Sequence, residues 1–134
     1  MSEYHVVDVE FKDEECLVGA LKEMGYQPEV FENGTTVSNS YSKTSPKCHV
    51  VVRKNQFSGY GDMGFERVSG GFKLHIDDYD YGKGKRDKIK MSRLKQVYAS
   101  SVIQKSIRKT SKFSFVSKSE KDGNIKIKVR RMGG

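Results

Sequence analysis

The hydrophobic period of this chain switches from strand-like to helix-like and back on two occasions, which constrains its fold more than any other feature. Val7, Val9 and Phe11 alternate with Asp8 and Glu10, the pattern of a half-buried strand. A helix start follows. Asp13 suits an N-cap, Glu14 and Glu15 suit the positive first turn, and Leu17, Ala20, Leu21 and Met24 form one stripe. Gly25 falls at the C′ position, so a helix is predicted over residues 14–24. Tyr26 to Phe31 returns to strand spacing, and Gln27-Pro28, which removes a backbone donor, places that strand at a sheet edge.

Residues 32–47 are rich in Asn, Gly, Thr, Ser and Lys and read as a long loop or an irregular hairpin. Cys48 to Arg53 reads as a strand, with Cys48, Val50 and Val52 on one face and His49 and Val51 on the other. Phe65 to Val68, a Ser69-Gly70-Gly71 turn, and Phe72, Leu74 and Ile76 make a hairpin. Residues 77–90 are irregular. A second helix is predicted over residues 92–105 or slightly beyond, with Leu94, Val97, Tyr98, Ser101 and Val102 inward. Its wheel also brings Lys105 and Arg108 to that side, so either burial ends near Gln104 or both cations project past the sheet edge. The chain closes on a hairpin: Phe113 and Phe115 alternate with Ser114, a Glu-Lys-Asp-Gly turn follows, and Ile125, Ile127 and Val129 alternate with Lys126, Lys128 and Arg130.

The order β-α-β-β-β-β-α-β-β, with segregated hairpins, argues for an α+β fold: a mostly antiparallel sheet with two helices packed on it. At 134 residues, one domain over 1–134 is expected, large enough to bury a core without staples. Charge divides that domain. Residues 1–82 carry 8 Lys and Arg against 14 Asp and Glu, a net −6. Residues 83–134 carry 17 against 3, a net +14, which together give +8. Such a field steers an anionic partner to one side.

Cys16 and Cys48 fall inside apolar patterns, so buried free thiols in a reducing compartment are expected. The opening residues lack the charged and apolar regions of a signal peptide, and no apolar run approaches the roughly 20 residues that span a bilayer. A cytoplasmic protein with no membrane partner is expected.

The basic array is the main functional signal. Lys126, Lys128 and Arg130 project from one strand face at roughly 7 Å intervals, near the spacing of phosphates along an extended strand. Lys83, Lys85, Arg86, Lys88 and Lys90, with Arg93, Lys105 and Arg108, add cations that could reach further phosphates. Tyr79, Tyr81 and Tyr98 lie nearby in sequence and, if exposed, would offer stacking. The bland alternatives are a core Tyr98 and edge lysines that only prevent aggregation.

Other constellations are weak. Asp77, Asp78 and Asp80 faintly resemble a calcium loop but lack its closing Glu. His5, His49 and His75 with Cys48 show no metal-ligand spacing. Cys16 near a helix start is a thin case for a nucleophile, because it belongs to an apolar stripe. The Gly59 to Gly64 stretch opens no helix and reads as a turn or bulge. No catalytic residue, cofactor or metal is expected.

Three stretches carry a family resemblance: Phe11 to Tyr26, Leu94 to Ala99, and Glu120 to Arg130. In this order and spacing the chain resembles a family of small proteins of unknown function from cyanobacteria, red-algal plastids (hypothetical chloroplast reading frame thirty-five), other bacteria and phages. The resemblance implies an intact α+β domain in a cytoplasmic or stromal setting and supplies no activity or catalytic residue. The family often carries tryptophan and acidic residues before the second helix. This chain has no Trp and is basic from Lys83 to Lys90, so no partner meeting that segment is implied.

The leading expectation is a non-catalytic protein contacting RNA or single-stranded DNA through its basic C-terminal face. The alternative is an adaptor, or a phage-type modulator, docking on an acidic protein surface. Long edge strands leave a homodimer open.

Overall fold

A computed structural model describes residues 4–37, 45–81, 90–109, 113–121 and 124–131. Strand β1 (Tyr4–Phe11) leads into helix α1 (Glu14–Glu23). Asp13 caps α1 as its sequence requires: Oδ1 accepts from the Cys16 N–H at 3.0 Å. The helix ends in a Schellman motif. Tyr26 N–H donates to the Leu21 carbonyl and Gly25 N–H to that of Lys22, both at 3.0 Å, with Gly25 at φ 95°.

Four strands follow as a meander: β2 (Glu29–Thr36), β3 (Lys47–Val52), β4 (Met63–Val68) and β5 (Gly71–Asp77). The sheet order is β1-β5-β4-β3-β2, antiparallel throughout. α1 therefore connects the two edges of the sheet, and the Pro-containing segment leads into an edge strand as expected. Of the two expectations for residues 32–47, the irregular hairpin is the one that forms: β2 continues to Thr36 and pairs with β3 through a register irregularity between Val30 and Thr35. A bulged edge strand tolerates the Asn and Gly that a central strand would not.

One-turn helix α2 (Asp78–Tyr81) occupies the start of the stretch read as irregular, and α3 runs over Met91–Lys109, longer than predicted at both ends. Hairpin β6 (Phe113–Lys121) and β7 (Asn124–Arg131) forms a separate two-stranded sheet. The element order matches the expected one, with α2 and a 3-10 turn at Lys54–Gln56 added.

The main core lies between one sheet face and the two long helices. Leu17, Ala20 and Leu21 of α1 and Leu94, Val97 and Tyr98 of α3 meet Val50, Val52, Phe65, Leu74 and Ile76. Each Leu, Val, Ile and Phe among them contributes roughly 1.5–3 kcal/mol on burial. The alternation placed Cys48 with Val50 and Val52; its thiol instead packs with Val37 and Val51. Gly64 leaves the room: a β-carbon there would collide with the Cys48 side chain. On α3 the inward set also differs from the wheel. Ser100 is buried, while Val102 is 40% exposed and Ser101 only half-buried. The helix turns its far half toward the β6–β7 hairpin, so one apolar stripe cannot serve its whole length.

Candidate nucleic-acid interface

The hairpin that carries the basic array is fixed to the body through side chains of β6. Lys118 pairs with Glu23 at the end of α1. Glu120 accepts from Arg93 of α3 at 2.6 Å, and Arg93 also reaches Gln96 at 3.3 Å. Ile125 packs against the main core. With one face of the hairpin turned toward α3, strand alternation directs Lys126, Lys128 and Arg130 to the other, and all three are exposed. Across the ladder stand small hydroxyl residues: Ser119 opposite Lys126, Ser117 opposite Lys128 and Ser114 opposite Arg130. Among the described residues, no carboxylate pairs with these three cations.

The remaining expected site residues separate into three groups. Lys83, Lys85, Arg86 and Lys88 lie outside the described residues. Lys90 is exposed, in a left-handed conformation at φ 50°, beside a cleft shared with Glu23, Tyr26 and Arg93. Arg93 and Lys105 have internal partners. Burial along α3 ends at Ser100, in line with the first of the two alternatives its wheel offered, and Lys105 beyond it is half-buried. Its ammonium reaches the start of α1, 2.6 Å from Asp13 Oδ2 and 3.1 Å from Glu15. Those carboxylates raise the Lys105 pKa, and the hydrogen bond from Lys105 holds the Asp13 carboxyl below the usual carboxylate range. Arg108 is exposed, next to a cleft formed with Glu15, Cys16 and Gln104.

The tyrosines do not form a stacking platform. Tyr98 is buried, and its hydroxyl accepts from the N–H groups of Lys12 at 2.8 Å and Asp13 at 2.9 Å. Tyr79 is half-buried with its ring 5.6 Å from Tyr60, and Tyr81 packs against the core.

The weaker constellations have structural roles. The Asp80 carboxylate is fully buried and accepts from the N–H groups of Tyr60 and Gly61, which pins the glycine-rich turn. Asp77 accepts from Tyr79 N–H at 2.9 Å. His49 Nδ1 accepts from Arg67 N–H at 2.9 Å, whereas His75 Nε2 lies 2.8 Å from Glu66. Among the described residues, no group of three His, Cys, Asp or Glu side chains could hold a metal ion. Burial, with Asp13 nearby, pushes the Cys16 thiol up, the wrong direction for an activated nucleophile. Burial pushes Cys48 up to about 12. Both cysteines are free. No helix among the described residues is long and apolar enough to cross a membrane.

Sequence reasoning missed Arg131 and Lys109, exposed cations at the open end of the hairpin and at the end of α3. It also missed Ile103 and Ile107, whose four-residue spacing was visible but lies on the opposite side of the wheel from Leu94 and Tyr98.

Fold and site together define a small α+β protein: a helix-backed antiparallel sheet bearing a basic hairpin arm. Residues 20–128 match the model of a family described as Protein of unknown function (DUF1257), and the chain belongs to that family. No curated protein and no solved structure matches it.

Proposed function

We propose that this protein binds RNA or single-stranded DNA without catalysis, through the outer face of the β6–β7 hairpin. The observation that carries the reading is the row Lys126, Lys128 and Arg130, exposed at alternate positions opposite serines rather than carboxylates. Their spacing of roughly 7 Å suits successive phosphates of an extended strand. The exposed hydroxyls of Ser117 and Ser119 across the ladder supply further donors to phosphate oxygens. With Tyr98 buried and Tyr79 and Tyr81 half-buried, affinity comes from charge and is tolerant of sequence. The two free thiols suit a reducing compartment such as the cytoplasm.

The test is a salt series with a labelled RNA, a single-stranded DNA and a duplex. Three neutralised phosphates give a slope of log K against log salt of about −2 on single strands. Lys126→Glu with Lys128→Glu is expected to weaken binding by more than about tenfold and to flatten that slope. Absence of binding to all three probes at low salt would sink the proposal. Unchanged binding by the double variant would move the site away from the hairpin.

A further inference from the structure

The chain has one Asn-Gly step, Asn33-Gly34, and the fold places it where β2 leaves residue-for-residue pairing with β3. Val30 pairs with Val50 and Thr35 with Cys48, so four residues of β2, Phe31 to Gly34, stand opposite the single residue His49. Phe31 packs against Val37, Cys48 and Val51, and Arg67 holds the Glu32 carbonyl at 3.3 Å, while Asn33 is exposed. Gly34 has φ 82°, a conformation that a side chain disfavours. Its surroundings require glycine as well. A β-carbon there would lie 2.9 Å from Lys47 Cγ and 3.2 Å from His49 Nε2. The bulge therefore needs a glycine directly after an exposed asparagine.

Such a pair carries its own electrophile and nucleophile: the carboxamide carbon of the asparagine and the backbone nitrogen of the next residue. Glycine has no β-carbon to obstruct their approach. A regular ladder would hold both residues extended and bonded to a neighbour; the bulge relaxes that constraint. The geometry points to Asn33-Gly34 as a site of self-modification, at which Asn33 loses ammonia and becomes aspartate or isoaspartate. The Gly34 nitrogen attacks Asn33 Cγ. The new N–Cγ bond forms, the Cγ–Nδ2 bond breaks, and the Gly34 amide proton leaves with Nδ2 as ammonia. Water then opens the ring imide. Addition at Cγ gives aspartate, and addition at the main-chain carbonyl gives isoaspartate. Water is the only co-reactant, and nothing is oxidised or reduced.

The product adds a carboxylate next to Glu32 and near the Lys47 side chain. Isoaspartate also lengthens the β2 backbone by a methylene, which shifts Thr35 and Thr36 against Cys48 and Lys47. β2 is an edge strand, so β3, β4 and β5 keep their ladders. The site stands apart from the nucleic-acid reading, because the basic hairpin forms a separate sheet. Two other asparagines serve as internal references. Asn55 precedes Gln56 in the 3-10 turn, and Asn124 precedes Ile125 in β7, so each attacking nitrogen belongs to a residue with a side chain.

The test incubates the purified full chain in neutral buffer, with and without urea, and follows peptide masses, released ammonia and enzymatic methyl labelling of isoaspartate. In the folded chain Asn33 is expected to convert at least about tenfold faster than Asn55 or Asn124, and within about threefold of its own rate in urea. Asn33→Gln lengthens an exposed side chain and enlarges the ring that attack must close. It is expected to remove most of the ammonia release while leaving the thermal midpoint nearly unchanged. An intact Asn33 in the folded chain, conversion confined to urea, or equal rates at the three asparagines would each overturn the assignment. So would undiminished ammonia release from Asn33→Gln.

Discussion

Asp13 divides its carboxylate between two helices: Oδ1 accepts from Cys16 N–H in α1, and Oδ2 accepts from the Lys105 ammonium in α3. The backbone N–H of the same residue, with that of Lys12, donates to Tyr98 Oη. Tyr98→Phe removes the acceptor for both and leaves them without a partner in a part-buried position. It is expected to cost about 1–3 kcal/mol, read as a lower urea midpoint, without changing nucleic-acid affinity. The Asp13–Lys105 pair sets a pH window. The Asp13 pKa is lowered on folding, so its contribution is present above the ordinary carboxylate value of about 3.9 and is lost as pH falls through the lower folded value. The Lys105 pKa is raised, so its contribution is complete below about 10.4 and is lost as pH rises through the higher folded value. Lys105→Met should therefore lower the thermal midpoint relative to the parent by a constant amount between about pH 5 and 10. That gap should shrink toward pH 2, and Asp13→Asn, which keeps the cap, should reduce it at pH 7.

At the level of elements, what could be read from sequence followed how local each cause was. α1 was legible to within one residue because its cap, stripe and Schellman glycine are all local signals. The β6–β7 hairpin was legible from alternation, and with it the outer row Lys126, Lys128 and Arg130. What escaped depended on other elements. β2 runs to Thr36 because an edge strand can bulge against β3, and α3 carries a second apolar pair because a hairpin far along the chain packs on it. Lys105 appeared to be free for a ligand because its partners are about ninety positions away. The hairpin is tied down by exposed or partly exposed ion pairs, each worth at most about 1 kcal/mol. Arg93→Ala with Lys118→Ala is therefore expected to speed amide exchange across residues 113–131 several-fold. The amides of β3, β4 and β5 should keep their protection, and uniform loss throughout the sheet would show that the arm does not open separately.

Across the whole molecule, the charge division seen in sequence is partly closed by the fold. Lys105 and Lys118, from the basic part, meet Asp13, Glu15 and Glu23, from the acidic part. The +14 of residues 83–134 therefore overstates the charge left without an internal partner; among the described residues, the row Lys126, Lys128 and Arg130 faces no carboxylate. The two parts also share a core, since Met91, Leu94, Val97 and Tyr98 complete the layer over the sheet begun by α1. A chain cut after residue 82 is expected to give two pieces without cooperative unfolding, checked by the near-ultraviolet dichroism of each piece and of their mixture. A first piece that melts sharply alone would show that the sheet does not need α3.

The position of β1 at the sheet edge beside β5 has a consequence for synthesis. Tyr4 pairs with Asp77, so β1 has no ladder partner until the last strand of the meander is complete. At about 5–20 residues per second, the nascent strand waits several seconds with its ladder unpaired. The contacts that then seal it, from Tyr98 to Lys12 and Lys105 to Asp13, span 86 and 92 positions. Folding should accordingly proceed from the β2–β5 meander outward, with the N-terminus captured late, in the slower range typical of long-range topologies.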